Sequence, residues 1–190
     1  TKFGSSLTRD SNGKSTIVED YSNERILAST KTSLDRLHTD YLDVLFVHTP
    51  TPEQPVLFNP EEAFSTITQL KTQGKIRAIG FSFHLYSGSW IEQIEPLLRS
   101  GVIDVVHVGI FLMLSEPIDN LLPIIRETGT GFVARESLAN GFLTDSFTIE
   151  GPFNAGDPKG NLPKEKNQEK LDGAYQFKFL LDLSPGISSL

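Results

Sequence analysis

The 190-residue sequence predicts an α/β protein built on a parallel sheet. Two observations carry that expectation. Short runs of apolar and β-branched residues recur along the chain, each separated from the next by one segment of helical periodicity. The runs are continuous rather than alternating, as in Val44-Leu45-Phe46-Val47, which is the pattern of strands buried on both faces. Single helices between strands imply right-handed crossovers and hence parallel pairing.

The elements follow in order. Ser22-Asn23-Glu24 opens a helix in which Ile26, Leu27, Thr30, Leu34 and Leu37 recur at helical spacing, ending near His38-Thr39. The strand Leu42 to Val47 comes next and stops on His48, directly before a Thr-Pro break. Asn59-Pro60-Glu61-Glu62 opens a second helix with a cap, a proline in the first turn and acids on the positive end of the dipole. Its inner face is Ala63, Ile67 and Leu70, and Gly74 ends it. Ile76 to Ser82 reads as a strand, the segment around Trp90, Ile91, Ile94, Leu97 and Leu98 as a helix, and Val102 to Val108 as a strand. Ile118 to Ile125 is a further helix and Gly131 to Ala134 a further strand. Residues 139–163 are rich in Gly, Pro and Asn and read as a long loop. A C-terminal helical segment occupies 165–190, with its helix from about Glu165 to Leu183 and a Ser184-Pro185-Gly186 break. The whole of 1–190 reads as one domain.

Composition limits the function. A net charge of −7, spread rather than gathered in blocks, argues against a nucleic-acid surface and against an anionic membrane as partner. The absence of cysteine excludes disulfides and thiolate metal sites and fits a reducing cytosol. Four histidines without His-x-x-x-His spacing outline no metal site. No run approaches the roughly 18 apolar residues of a membrane span, and the opening TKFGSSLTRD is not a signal peptide. A cytoplasmic protein is the expectation.

The stretches TKFG, SLDRLHTDYLDVLFVHTP, LKTQGKIRAIGFS and VARESLANGFLT, in that order and at compatible spacing, resemble the aldo-keto reductase family. The resemblance covers nearly the whole chain. It implies a parallel (β/α)8 TIM barrel represented here only in part, from the end of the third strand through the seventh, about five β/α units. It also implies an active site at the carboxyl ends of the strands and NADPH-dependent reduction of aldehydes or ketones to alcohols. In the family a tyrosine protonates the carbonyl oxygen, a lysine lowers that tyrosine's pKa, an aspartate pairs with the lysine, and a histidine orients the carbonyl.

Lys2 stands where the family lysine stands and His48 where the histidine stands. A cation beside a phenol favours phenolate, and a neutral imidazole N–H can bond the carbonyl oxygen without adding charge. Outside the family context Lys2 would read as a solvated surface lysine and His48 as a satisfied strand-end histidine. Asp40, Asp43 and Tyr41 lie at the amino end of their strand and are assigned no catalytic role. On the cofactor side the resemblance implies NADP contacts from Ser82, His107, Arg135, Ser137, Leu138, Asn140 and Gly141. It also departs from the family pattern at three places. Phe83 stands where a polar neighbour of Ser82 is usual, and His107 replaces a glutamine, although it also fits a core position. Glu136 puts negative charge near a diphosphate. Residues 136–141 equally fit a turn that satisfies its own backbone.

The family tyrosine and aspartate lie upstream of TKFG, and the residues that grip the adenosine 2′-phosphate follow the eighth strand. Five parallel strands with two open edges would expose unpaired backbone. The expectation is therefore a piece of a longer chain, or one completed by a second copy or another chain. A non-catalytic nucleotide-binding or scaffold subunit is the alternative function, suggested by Phe83, His107 and Glu136. Pro52, Phe58, Phe142 and Phe147 are the apolar candidates for a substrate pocket, and no metal is expected.

Overall fold

The computed structural model describes residues 1–9, 15–48, 60–84, 89–110, 118–144, 147–151, 153, 160 and 162–183. The chain divides into two compact units, residues 1–109 with 117–134, and residues 110–116 with 135–190.

The first unit is built on a five-stranded sheet. β1 (Lys2–Phe3), β4 (Leu42–His48), β5 (Ile76–His84), β6 (Val105–Gly109) and β7 (Gly131–Arg135) lie in the order β1-β4-β5-β6-β7. The pairs β1–β4, β4–β5 and β5–β6 are parallel. The helices α1 (Asn23–Leu37), α2 (Pro60–Thr72), α3 (Ser89–Arg99) and α4 (Ile118–Thr128) occur between the strands as the sequence predicts.

Side chains alternate across a strand, and here the alternation divides two environments. Phe3, Leu45, Val47, Ile79, Phe81, Phe83, Val106 and Val108 are all buried. Phe81 meets Phe64 of α2 at 6.4 Å between ring centroids, so this face packs against helices. Phe83 lies 5.9 Å from Phe81 on the same side. It therefore belongs to the core of this chain.

Ser22 caps α1 by accepting the Arg25 N–H at 3.2 Å. The helix closes on His38 in the left-handed region (φ 52°), whose N–H bonds the Asp35 and Leu34 carbonyls. Its buried stripe is narrower than the periodicity suggests. Ile26 and Thr30 are buried, whereas Leu27 is 50% and Leu37 60% exposed. Ala63, Phe64, Ile67 and Leu70 form the inner face of α2. Gly74 follows it at φ +72°, a conformation that glycine adopts without a Cβ penalty. Asn59, the expected cap, lies outside the described residues.

One element is new. β2 (Ser5–Arg9) and β3 (Ser15–Glu19) pair antiparallel as a hairpin. The sequence between them contains Asn12-Gly13, a strong local hairpin signal. The strand expected from Val102 begins at Val105, with Asp104 just before it at the sheet's amino edge. There its N–H donates to the Ile79 carbonyl and its own carbonyl accepts the Gly131 N–H.

The second unit has its own core of Ala139, Phe142, Leu143, Leu171 and Ala174, with Phe147 and Ile149 packed on it. The Phe142 and Phe147 rings are 4.3 Å apart. Phe142 is thus a structural residue and not a pocket wall, while Pro52 and Phe58 lie outside the described residues. The single expected C-terminal helix is two, α5 (Lys164–Tyr175) and α6 (Phe179–Leu183). Between them the chain tightens, with Phe177 N–H bonding Ala174 O and Lys178 N–H bonding Tyr175 O. Tyr175, Phe177 and Phe179 are weak helix formers, which favours the break there.

Asp104 joins three elements of the first unit, since it also accepts the Ile79 N–H at 2.7 Å and Lys71 Nζ at 2.6 and 2.8 Å. Asp104→Ala removes the side-chain acceptor for a buried strand residue. It is expected to lower unfolding stability by about 1–3 kcal/mol in a denaturant titration.

Candidate active site

The face of the sheet opposite the helix-packed core carries the polar groups. Register pairs Lys2 with Phe46, His48 with Ser82, and Ser82 with His107. Register partners in parallel strands point the same way, and Phe46 and His48 are two residues apart. Lys2, Phe46, His48, Ser82 and His107 therefore share one face. His48 is the last residue of β4, so this group lies toward the carboxyl ends of the strands, where parallel α/β folds assemble reactive groups from several strand ends.

The local packing has clear causes. Ser82 is fully buried, and its Oγ lies 3.2 Å from His107 Nδ1. That contact engages one ring nitrogen and fixes the orientation of the imidazole on this face. The His107 ring packs against Phe46 at 5.5 Å. Phe46 in turn covers Gly80, where a Cβ would stand 2.8 Å from Phe46 Cγ and closer still to the ring carbons beyond it. Glycine at position 80 is what lets the Phe46 ring lie flat on the strand beside it. Lys2 is exposed and His48 half-buried.

Two hydroxyls meet the backbone of His48. Tyr21 Oη donates to the His48 carbonyl at 3.0 Å, and Ser5 Oγ donates to it at 3.4 Å. Burial pushes the Tyr21 phenol well above its ordinary pKa, opposed by its hydrogen bond with Ser5. Sequence reasoning missed both residues, because nothing in the local pattern announces a bond spanning 27 or 43 positions.

The remaining predicted contacts lie together in the second unit. Arg135 ends β7, and its guanidinium pairs with the Glu136 carboxylate at 3.5 Å, both side chains being mostly buried. The negative charge of Glu136 is therefore offset within the chain. Ser137, Leu138 and Asn140 are exposed, and Gly141 is half-buried. Glu136, Ala139 and Asn140 all adopt positive φ (59°, 50° and 56°), which costs energy for non-glycine residues and recurs at functional turns. The turn also bonds to itself, through Gly141 N–H to Leu138 O at 2.9 Å and Leu143 N–H to Leu138 O at 3.2 Å.

Asp43, at the amino end of β4, pairs with Arg77 at 2.9 Å, and Arg77 stacks over Tyr41. These groups serve the opposite edge of the sheet. Among the described residues no His, Cys, Asp or Glu cluster could hold a metal ion, and no helix is long and apolar enough to cross a membrane.

A parallel α/β sheet with its polar side chains gathered toward the carboxyl strand ends places the chain in the (β/α) fold class. The model of the Aldo/keto reductase family matches residues 1–184, and the chain belongs to that family. It is 31% identical over 140 residues to aldo-keto reductase YhdN of Bacillus subtilis, and 30% identical over 138 residues to an NADH-specific methylglyoxal reductase of Escherichia coli. These alignments cover 74% and 72% of this chain and 40% of each relative, so the chain spans well under half the length of these curated relatives. Among solved structures, a glycerol dehydrogenase from Gluconobacter oxydans is similar at TM-score 0.71 and 22% identity, over 96% of this chain and 54% of its own. An aldo-keto reductase from Bacillus halodurans in its holo form is similar at TM-score 0.59 and 28% identity, over 82% of this chain and 46% of its own. These neighbours are (β/α)8 barrels, and the five-stranded sheet is part of that fold.

Gly80→Ala is expected to push the Phe46 ring off the strand and against His107. A loss of about 1–3 kcal/mol in thermal unfolding, together with a shifted His107 ring resonance by NMR, is the expected outcome.

Proposed function

We propose that the protein is a nicotinamide-dependent carbonyl reductase that converts aldehydes or ketones to alcohols, with NADPH as the cofactor. The observation that carries this reading is the shared face of Lys2, His48, Ser82 and His107 toward the carboxyl strand ends. Hydride is what the cofactor supplies when bound, and the chain's own residues bind, orient and manage the proton.

In this reading His48 donates an imidazole N–H to the carbonyl oxygen and fixes its direction. Lys2 holds its ammonium beside a phenol and favours phenolate, which brings that group's pKa from about 10 toward working pH. The Ser82–His107 pair meets the carboxamide, with Ser82 holding the imidazole in place. Arg135 is the proposed residue near the nicotinamide, and Ser137, Leu138, Asn140 and Gly141 are the proposed contacts on the pyrophosphate side.

The residues fit the group better than the sequence pattern suggested. Phe83 is a buried core residue, held by packing rather than left facing a ligand. His107 is oriented by its hydrogen bond with Ser82. Glu136 is paired with Arg135 and adds little net charge. The observations that motivated a non-catalytic subunit thus lose most of their force.

The proton donor is a separate matter. Tyr21 turns its hydroxyl to a backbone carbonyl and burial raises its pKa, the opposite of what an acid at neutral pH needs. Tyr41 lies beneath Arg77 at the amino edge. The reading requires a further tyrosine within hydrogen-bonding reach of Lys2 and His48.

The test is oxidation of NADPH and of NADH by the full-length protein with an aromatic aldehyde, in the wild type and in Lys2→Met and His48→Gln. Each substitution is expected to lower kcat by roughly 10²–10⁴-fold, with cofactor Kd by fluorescence within a few-fold of wild type. Wild-type turnover that both substitutions leave intact would falsify the assignment. The relative specific for NADH makes the ratio of the two cofactors' kcat/KM the measurement that decides between them.

A further inference from the structure

The Tyr21 side chain ties together the two strand ends that carry Lys2 and His48. Its ring is 5% exposed and lies beneath Gly4, where a Cβ would stand 2.9 Å from Tyr21 Cδ1 and closer still to the neighbouring carbon. Gly4 has φ +112°, a conformation that L side chains rarely adopt, so both its backbone and its missing side chain suit the ring. Phe3, between Lys2 and Gly4, meets the same ring edge-on with centroids 6.4 Å apart. The Asp20 N–H donates to the Gly4 carbonyl at 2.9 Å, which anchors the residue before Tyr21 to the chain just after β1. From this seat Tyr21 Oη donates to the carbonyl of His48, assisted by Ser5 Oγ.

A carbonyl at the end of a strand would ordinarily be left to solvent once the ladder stops. Here two hydroxyls hold it, and the phenol is protonated at neutral pH, as tyrosine ordinarily is, with burial raising its pKa further. The bond is therefore present throughout the neutral range. Its donor sits on a ring clamped against the two residues that follow Lys2, so it links the backbone positions of Lys2 and His48 across the edge of the sheet.

We infer that Tyr21 is a positioning residue, which fixes the backbone of His48 relative to Lys2 and thereby the direction of the imidazole. The inference rests on the reading of His48 as the group that orients the carbonyl. It acts on the reaction only through His48, because the hydroxyl is committed to a main-chain oxygen.

The conservative variant Tyr21→Phe keeps the ring and its packing and removes the hydroxyl alone. In the full-length protein assayed with an aromatic aldehyde, it is expected to lower kcat about tenfold, less than the roughly hundredfold cost of misplacing a reacting group by a full ångström. KM and cofactor Kd are expected to stay within twofold. In a His48→Gln background the same substitution is expected to have no further effect on kcat, as for residues that act as a unit. An equal loss in both backgrounds would show that Tyr21 acts generally on stability or elsewhere, and would overturn the proposal. A second readout does not depend on turnover. The His48 imidazole resonances are expected to shift and broaden in Tyr21→Phe, while those of His38, on the far end of α1, stay put. Unchanged His48 resonances overturn the proposal even if the protein reduces carbonyls. Shifted resonances in a protein that reduces none sustain the positioning and leave the reductase reading as the one that failed.

Discussion

The structure depends on one register, His48 opposite Ser82 opposite His107 on three adjacent parallel strands. Because side chains alternate with a period of two, this register sends three polar groups to one face and Val47, Phe81 and Val106 to the other. A slip of one residue in β5 would turn Ser82 into the helix-packed core and bring Phe83 to the polar face. The apolar residues enforce the register, since Phe81 and Phe83 are among the largest fully buried side chains. Core packing and the arrangement of the site are thus one constraint.

Around that register the supporting contacts are of two kinds. At the amino edge of the sheet, Asp104 and Lys71 tie β5, β6 and α2 by hydrogen bonds and an ion pair. At the carboxyl edge, the contacts are hydroxyls on carbonyls, a serine on an imidazole nitrogen, and an aromatic ring laid over a glycine. The first edge spends its charges on holding elements together. The second leaves charged and titratable groups facing away from the core, the disposition in which parallel α/β proteins carry out chemistry.

Much of this was legible in the sequence. Apolar runs ending on turn residues gave the strands, and Ser22 and Gly74 marked helix ends because capping is a local interaction. His48 was readable as a strand-end residue from LFVHTP alone. The misreadings have physical sources. Phe83 was judged by its neighbour in sequence, whereas strand parity puts neighbours on opposite faces, and that parity was available once Ser82 was placed. The β2–β3 hairpin has its signal in Asn12-Gly13, while Ser5, Ser6, Thr8, Ser15 and Thr16 give its strands little apolar character. The α5–α6 break came from aromatic residues spaced through a helical pattern. The clamp of Tyr21, Gly4 and the His48 carbonyl was not legible, because contacts between distant segments leave no periodic trace.

The central claim is that the shared face of Lys2, His48, Ser82 and His107 receives the nicotinamide and the carbonyl. A crystal structure of the full-length protein soaked with NADPH and a carbonyl-bearing inhibitor tests it most directly. The account predicts the carboxamide within hydrogen-bonding distance of the Ser82–His107 pair and the inhibitor's oxygen on His48. A nicotinamide seated at the amino edge, near Asp43 and Arg77, would contradict it.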